Sequence, residues 1–416
     1  MHLPLFTRLK ALPGRCLSLL RQWLWPEHWP GTARYLQRLV ILAIALPPFV
    51  LLQAAHLVGF LLDEVLFRRH REVEVRAPVF VLGVPRSGTT FTHRLLAAEP
   101  TFTTLTLWEC VFAPSISERY VFAGLARLDG LIGRPVGRLL HWLSARMARM
   151  TGDVHPTALG SPEEDFLTLL PTLDCFLLVI AFPEAKWLWQ LTRGDRDLLE
   201  EADGRCPPLD DTLFWYRQLL QKHLFFHGES LTLLSKNASF AGLALSLEKH
   251  FPDCRIVICE RDAGRVLQSQ FRSLADARRF FGTDTTHLAT TSRDHHTGNA
   301  TERGNPLGLL FERELVDTLA HYYENLELLE ATLPPERCIR VPLEALSGDT
   351  GPMFQQLCRQ LTIPCGDGLM AAIEQYRSEP ANASPKTGAG SRHLDVSLHD
   401  INRRFARWMK PRSEPL

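Results

Sequence analysis

Net charge is the first property that this 416-residue sequence lacks, because its 46 lysines and arginines are matched by 46 aspartates and glutamates. Proteins that bind nucleic acid by general charge attraction carry a clear basic excess. The composition therefore argues against nucleic acid as a partner, and any anion site in the chain has to be built locally.

Closely spaced cysteines are also missing. The nine cysteines are scattered along the chain, and none belongs to a Cys-x-x-Cys pair. A disulfide framework or a structural zinc site needs such spacing, so the pattern favours reduced thiols in a cytosolic domain and no metal. Internal repeats are absent too, and the length permits either one large domain or two ordinary ones.

A long apolar run separates the first part of the chain from the rest. The run from Leu39 to Leu62 carries no formal charge and is long enough to cross a bilayer as a helix. Pro47 and Pro48 interrupt it and predict two shorter apolar helices with a bend. We assign residues 1–76 to an apolar helical segment associated with a membrane, with a helical hairpin packed on the following domain as the alternative.

From residue 77 onward the pattern is typical of an α/β domain. Short apolar runs predict buried strands of a parallel sheet at 79–82, 255–259 and 339–341. Helical periodicity covers most of 107–230, and a longer helix is expected near 312–333. We therefore predict one domain over residues 77–416, in which helices flank a parallel β-sheet.

The first predicted strand is followed by a loop suited to an anion. Residues 83–90 read Gly-Val-Pro-Arg-Ser-Gly-Thr-Thr and enter a helix, so free backbone N–H groups and the helix dipole meet at one place. The glycines have the spacing of a nucleotide-triphosphate P-loop, but Thr89 stands where such a loop carries lysine. The basic side chain is Arg86, which can stabilise charge on a leaving group. The loop indicates a phosphate or sulfate ligand, with a purely structural turn as the alternative.

A second basic position follows the second predicted strand. Arg261 comes at the carboxyl end of that strand, and Ser269 follows about two helical turns later, so both can face a ligand at the edge of the sheet. An arginine with a hydroxyl suits a terminal phosphate. An ordinary salt-bridge partner is the alternative for Arg261.

Together the two segments resemble the co-substrate motifs of the sulfotransferase superfamily. Pro-Arg-Ser-Gly-Thr-Thr comes first, and Phe-Pro-Asp-Cys-Arg-Ile-Val-Ile-Cys-Glu-Arg-Asp follows, with Ser269 after its last arginine. The surroundings are most similar to the bacterial sulfotransferase branch related to the tyrosylprotein sulfotransferases. The resemblance covers roughly residues 77–416. It implies a P-loop-type α/β fold and 3′-phosphoadenosine-5′-phosphosulfate as the sulfuryl donor.

The resemblance also implies a role for each matching residue. Arg86 and Lys236 would be catalytic, and Arg261 with Ser269 would hold the 3′-phosphate. The 5′-phosphosulfate would be held by the loop and the first residues of its helix: Arg86, Ser87, Gly88, Thr89, Thr90 and Phe91. After Lys236 the chain continues Asn237-Ala238, where the family usually has Ser-Pro or Asp-Pro.

Sulfuryl transfer to a hydroxyl needs a base for the acceptor's proton and requires no metal. Glu109 resembles the catalytic glutamate of the tyrosylprotein sulfotransferases in position, so it is the candidate base, with a helix-capping glutamate as the alternative. His155 is the rival, because the cytosolic enzymes of the family use a histidine and imidazole titrates near neutral pH. Residues 161–165 are predicted to begin a capped amphipathic helix. The resemblance implies a secondary role in orienting the acceptor for the acidic residues of this segment.

We therefore expect a sulfotransferase that acts on a hydroxyl or amine of an unidentified small-molecule acceptor. A lipid-like acceptor would suit the apolar N-terminal segment, and the enzyme would lie on the cytoplasmic side of a membrane, or on a Golgi membrane in a eukaryote. One alternative is a P-loop kinase-like phosphotransferase, which the missing lysine disfavours. The other is an inactive, membrane-tethered nucleotide-binding scaffold.

Overall fold

The structure is a computed structural model that describes residues 4–150, 160–197, 209–283, 306–346, 350–378 and 396–409. At its centre is a sheet of five parallel strands: β1 Val79–Gly83, β2 Phe102–Thr103, β3 Thr232–Lys236, β4 Arg255–Glu260 and β5 Cys338–Pro342. Their order across the sheet is β2-β3-β1-β4-β5, so β1 is the middle strand. This arrangement confirms the predicted α/β class.

Helices surround the sheet and make up most of the described chain. Short 3-10 helices lie at Arg68–Glu72, Asp165–Thr172 and Ala238–Leu243. The α-helices are α1 Pro4–Leu24, α2 Thr32–Leu66, α3 Thr89–Leu96, α4 Leu107–Phe112, α5 Ile116–Leu131, α6 Pro135–Met150, α7 Leu178–Ala181, α8 Lys186–Thr192, α9 Gly194–Asp197, α10 Leu209–His227, α11 Ala244–His250, α12 Ala263–Phe280, α13 Pro306–Thr332, α14 Leu343–Leu346, α15 Thr350–Gln360, α16 Asp367–Ser378 and α17 Leu398–Phe405.

The central strands are buried on both faces. Along β1, Phe80 and Leu82 belong to one apolar cluster, whereas Val79 and Val81 belong to the other. This alternation is the period of two that a strand imposes on its side chains, and it explains why the run is apolar throughout. The predicted strands β1, β4 and β5 are confirmed. Strands β2 and β3 were not predicted from periodicity, because one is two residues long and the other ends in polar residues.

The prediction that the apolar run forms two helices is wrong, because the run lies within the single helix α2. The helix continues through Pro47 and Pro48, although each proline removes a backbone hydrogen bond and crowds the preceding turn. Contacts with the rest of the chain hold both of its halves. Gln37 Nε2 donates to the backbone carbonyl of Phe280 at 2.7 Å, and Asp63 lies in a buried ion pair near the other end. Tertiary packing therefore outweighs the local cost of the two prolines.

The prediction that a helix begins at Ser161 is wrong. Leu107 N–H donates to the Ser161 carbonyl at 3.1 Å, and Glu163 N–H donates to the Leu105 carbonyl at 3.1 Å. These bonds hold the segment 161–164 against the chain before α4, so helical structure begins only with the 3-10 helix Asp165–Thr172. The backbone groups that would start a helix are used in this pairing instead.

A buried ion pair joins α2 to the domain. Lys222 Nζ on α10 donates to Asp63 Oδ2 at 3.0 Å, and both side chains are fully buried. The same carboxylate accepts the N–H groups of Ile116 at 2.9 Å and Ser117 at 2.8 Å, at the start of α5. Asp63 thus caps α5 from another helix and holds α2, α5 and α10 together.

We expect Asp63→Ala to lower the free energy of unfolding by about 3–5 kcal/mol, because Lys222 loses its closest counter-charge and α5 loses its cap. Denaturant unfolding in mild detergent, followed by circular dichroism, measures the loss. Adding Lys222→Met should recover part of it. Arg76→Ala, which breaks an exposed pair with Glu74, is the control and should cost less than about 1 kcal/mol. Equal losses in Asp63→Ala and Arg76→Ala would contradict the assignment.

Candidate active site

The carboxyl ends of β3, β1 and β4 meet at one edge of the sheet. The register pairs Val81 with Lys236 and Gly83 with Cys259, so the ends of the three strands lie side by side. Open parallel sheets bind their ligands in the crevice at this edge. The strand order therefore brings together the loop 84–88, Lys236 and the segment that begins at Arg261.

The loop 84–88 folds back tightly over the end of β1. Ser87 N–H donates to the Val84 carbonyl at 3.1 Å. A Cβ on Gly83 would lie 2.5 Å from Ser87 Oγ and 2.6 Å from the carbonyl oxygen of Cys259, closer than real contacts allow. Only glycine therefore fits at the base of this loop.

Two residues of the loop have left-handed backbone conformations. Gly88 has φ 95° and adopts this conformation at little cost, whereas Arg86 has φ 74°. A non-glycine residue in this region costs on the order of 1 kcal/mol or more, and such strain is concentrated at ligand sites. Helix α3 begins directly after Gly88, so its unpaired N–H groups and its dipole face the loop.

The two segments predicted to bind the donor contact each other. Arg86 Nε donates to Ser269 Oγ at 2.9 Å, and Arg261 Nη1 donates to the backbone carbonyl of Arg86 at 3.0 Å. Burial and the neighbouring charge of Arg261 lower the pKa of Arg86. Two guanidinium groups held this close favour a ligand with more than one negative charge.

Ser87 has a buried hydroxyl without a hydrogen-bond partner in the loop. Its Oγ is fully buried and has no hydrogen-bond partner among the described residues. A buried hydroxyl without a partner is costly, and such groups call for a bound species. A phosphate or sulfonate oxygen in the loop would accept this hydrogen bond.

Lys236 connects the loop to an acidic segment. Its Nζ, on a side chain that is 2% exposed, donates to Thr90 Oγ1 at 3.4 Å and to Glu163 Oε1 at 2.9 Å. The structure thus brings Lys236 to the start of α3. Burial and the charge of Lys236 lower the pKa of His93 to about 3, so this histidine behind the loop is neutral.

Glu163, for which the resemblance implied only a secondary role in orienting the acceptor, lies beside Lys236. Its position beside Lys236 depends on the pairing of segment 161–164 with the chain before α4. The sequence of the segment itself does not predict this pairing. Next to it, burial raises the pKa of Glu164, and burial raises the pKa of Asp165 to about 6. Two acidic groups with raised pKa values beside a buried lysine are typical of a functional site.

Asn237 explains a departure from the family pattern. Its side chain is fully buried, and its Nδ2 hydrogen-bonds to Asp165, which also accepts Tyr216 Oη at 2.6 Å. Its Oδ1 accepts the Phe166 N–H at 3.1 Å. Asn237 therefore fixes the acidic segment to the end of β3, directly after Lys236.

Glu109 caps the helix in which it lies. Its Oε2 accepts the N–H and the hydroxyl of Thr106, each at 2.9 Å, and the Thr106 hydroxyl accepts Glu109 N–H at 3.3 Å. Its Oε1 hydrogen-bonds to His227 Nε2 and lies 3.7 Å from Arg119 Nη1. Glu109 is thus a helix-capping residue, and both of its carboxylate oxygens accept hydrogen bonds.

Electrostatics keep Glu109 ionised. Burial alone would raise its pKa, but the hydrogen bond with His227 and the charge of Arg119 outweigh burial and hold the pKa well below its usual range. Burial and Arg119 also lower the pKa of His223, whose Nδ1 lies 3.2 Å from Arg119 Nη1. Glu109, His223 and His227 are close enough together to hold a metal, but the arginine beside them disfavours a cation.

Two further residues were predicted for the site, His155 and Phe91. His155 lies outside the described residues. The ring of Phe91 packs edge-on against Tyr376 on α16, with centroids 4.5 Å apart, so its described contact is with the core side of α3.

The fold is an α/β fold in which the loops after three parallel strands meet at one edge of the sheet. The chain belongs to the sulfotransferase family, which matches residues 78–367. It is similar in fold to sulfotransferase STF1 from Mycobacterium tuberculosis H37Rv (TM-score 0.63, 18% identity, covering 98% of this chain and 93% of that one). It is also similar to sulfotransferase STF9 from Mycobacterium avium (TM-score 0.59, 16% identity, 86% and 82%). No curated protein is significantly similar to it in sequence.

We expect Glu109→Gln, which can keep the helix cap, to destabilise the protein mainly near neutral pH. A carboxylate with a lowered pKa in the folded state adds stability above its ordinary pKa of 4.5, and this stability is lost as the pH falls. The loss should be about 1–3 kcal/mol at about pH 7 and smaller at about pH 4. Denaturant unfolding at both pH values measures it, with the exposed Glu229→Gln as control. A loss independent of pH would refute the electrostatic account.

Proposed function

We propose that this protein transfers a sulfuryl group from 3′-phosphoadenosine-5′-phosphosulfate to a hydroxyl or amine. The products are a sulfate ester or sulfamate and adenosine 3′,5′-bisphosphate. The observation that carries the proposal is the contact of Arg86 with Ser269 and Arg261, which joins the loop 84–88 to the start of α12. A donor with phosphate groups at two positions needs two anion sites at one edge of the sheet. The contact supports this arrangement because it places the two predicted anion sites next to each other.

In this proposal the donor substrate is held at both of its charged ends. Ser87, Gly88, Thr89 and Thr90 would hold the phosphosulfate with backbone N–H groups and hydroxyls at the start of α3. Arg261 and Ser269 would hold the 3′-phosphate. The unpartnered Ser87 hydroxyl and the left-handed backbone at Gly88 fit a tetrahedral anion resting in the loop.

The chain's own residues would then assist an in-line displacement. The acceptor oxygen forms a bond to sulfur while the bond between sulfur and the phosphate oxygen breaks, and the nucleotide leaves with the extra negative charge. Arg86 and Lys236 would stabilise that charge, because both are held at the loop by fixed hydrogen bonds. The acceptor's proton passes to a carboxylate.

Glu163 joins Glu109 and His155 as a candidate for the base. Its Oε1 contacts Lys236 Nζ, so it lies where the proposed sulfuryl group would be. Glu109 has partners for both oxygens and a lowered pKa, which makes it a weak base. We favour Glu163 as the proton acceptor and Glu109 as the residue that positions α4.

Membrane association forms the second part of the proposal. Helix α2 is long and apolar enough to cross a membrane by length and composition, and only 11% of its most apolar stretch is buried. An enzyme on the cytoplasmic side would meet both a soluble donor and a lipid-like acceptor. In a eukaryote, the alternative location of the enzyme is a Golgi membrane.

Calorimetric titration with adenosine 3′,5′-bisphosphate tests the donor site. We expect binding by the full chain and a loss of about 10- to 100-fold in affinity for Arg261→Ala, because a charge-assisted contact to phosphate is removed. Arg265→Ala, on the exposed side of α12, is the matched control and should bind as the wild type does. Binding that survives Arg261→Ala unchanged would refute the site.

A screen of cell extracts with labelled donor tests the reaction and its base. We expect sulfated products with the wild type and a loss of about 10²- to 10⁴-fold in turnover for Glu163→Gln, with nucleotide binding retained. Glu109→Gln should lose far less turnover. The reverse order would assign the base to Glu109, and retention by both would favour His155.

The same screen separates the alternative functions. A kinase-like protein would transfer label from ATP and not from the phosphosulfate donor. An inactive scaffold would bind the bisphosphate but yield no labelled product from any extract.

A further inference from the structure

Helix α2 carries its polar side chains inward and its apolar ones outward. Arg38, Gln53, His56 and Asp63 are buried against the rest of the chain. The opposite face holds apolar residues that recur every three, four or seven positions and are 44–74% exposed: Leu36, Val40, Ile44, Leu51, Val58, Leu62 and Val65. A helix on the surface of a water-soluble domain has the reverse arrangement.

Helices α5 and α6 extend this apolar face. Gly59 on α2 allows close approach to α5, since a Cβ there would lie 2.4 Å from Ser115 Oγ at the start of α5. On α5 an apolar stripe is 52–71% exposed: Val121, Leu125, Leu128 and Ile132. On α6, Val136, Leu139, Leu140 and Trp142 are exposed as well. Adjacent apolar stripes of this kind mark a membrane or protein contact.

The charges around these stripes favour anionic lipid over another protein surface. Arg127, Arg134, Arg138 and Arg146 are all exposed on or between α5 and α6. The nearby Asp129 is turned to the backbone, where it accepts the N–H groups of Val136 and Gly137 at the start of α6. Basic side chains beside an exposed apolar face are typical of helices that lie in the headgroup region of a bilayer.

Exposed tryptophans add to this pattern. Trp25 and Trp29 precede α2, and Trp142 lies on α6 with the Arg146 guanidinium 5.8 Å from its ring centroid. Tryptophan is enriched at the boundary between hydrocarbon and water, where its amphipathic ring is accommodated. A contact between two copies of this chain would instead bring like-charged arginines together.

Both ends of α2 contact the same folded body. Gln37 near the start donates to the backbone of α12, and Asp63 near the end pairs with Lys222 on α10. These two contacts are about 39 Å apart along a straight helix, which exceeds the hydrocarbon thickness of a bilayer of about 30 Å. A spanning helix would have to break one of them, whereas a helix lying in the membrane plane keeps both.

We propose that α2, α5 and α6 form one membrane-binding surface that lies in a single leaflet of an anionic bilayer and does not span it. The apolar stripes enter the acyl region, and the arginines of α5 and α6 meet the headgroups. This inference rests on the membrane association proposed above and is independent of the proposed sulfuryl transfer. It gives the domain a fixed orientation on the membrane.

Vesicle flotation with the full chain tests the surface. We expect binding to phosphatidylcholine vesicles that strengthens when phosphatidylglycerol is included, and a drop of about tenfold or more for Leu125→Glu/Leu128→Glu. Leu328→Glu, at an equally exposed leucine on α13, is the matched control and should float as the wild type does. Circular dichroism checks that the variants fold. Equal flotation of both variants, or a dimer that the α5 variant dissociates and that does not float, would overturn the proposal.

Cysteine labelling tests the topology. Glu27→Cys and Arg69→Cys place thiols at exposed positions on either side of α2, in a background that carries Cys16→Ser, Cys206→Ser and Cys365→Ser. On sealed vesicles a membrane-impermeant maleimide should label both positions from outside. Labelling of one position only, with the other protected until detergent is added, would show a spanning helix and overturn the proposal.

Discussion

Because β1 lies between β3 and β4 and all three strands run in one direction, their carboxyl ends deliver three loops to a single edge. Every feature of the candidate site depends on this constraint. It sets Lys236 beside the start of α3, and it brings Arg261 to the backbone of Arg86. The glycine at the end of β1 then lets the loop close over the strand without a clash.

The parts of the site that can be predicted from the sequence are those whose positions depend only on neighbouring residues in the chain. The loop 84–88 and Arg261 were predictable, because a buried strand followed by glycine or arginine carries its own signal. Glu163 was not, because its position beside Lys236 follows from hydrogen bonds to a distant segment. The continuity of α2 was not predictable either, because Pro47 and Pro48 predict a break in the helix. Long-range contacts such as the Asp63–Lys222 ion pair outweigh the cost of these prolines.

Burial and charge divide the acidic residues near the site into two kinds. Glu109 is surrounded by Arg119 and two histidines, and it is held as a fixed anion within a helix cap. Asp165 is buried and Glu164 is half-buried, and both have raised pKa values; Glu164 Oε1 lies 3.7 Å from Lys236 Nζ. The first arrangement suits a permanent structural charge, and the second, in which the pKa of Asp165 is raised to about 6, is typical of functional sites.

The packing of Phe122 on α5 against Trp108 on α4, with ring centroids 4.6 Å apart, links the outer helices to the helix that carries Glu109. If the outer face rests on a leaflet, a lipid-like acceptor reaches the enzyme by lateral diffusion. Its supply then depends on the number of molecules per unit area of membrane, so turnover would respond to dilution by inert lipid and be insensitive to dilution of the surrounding water.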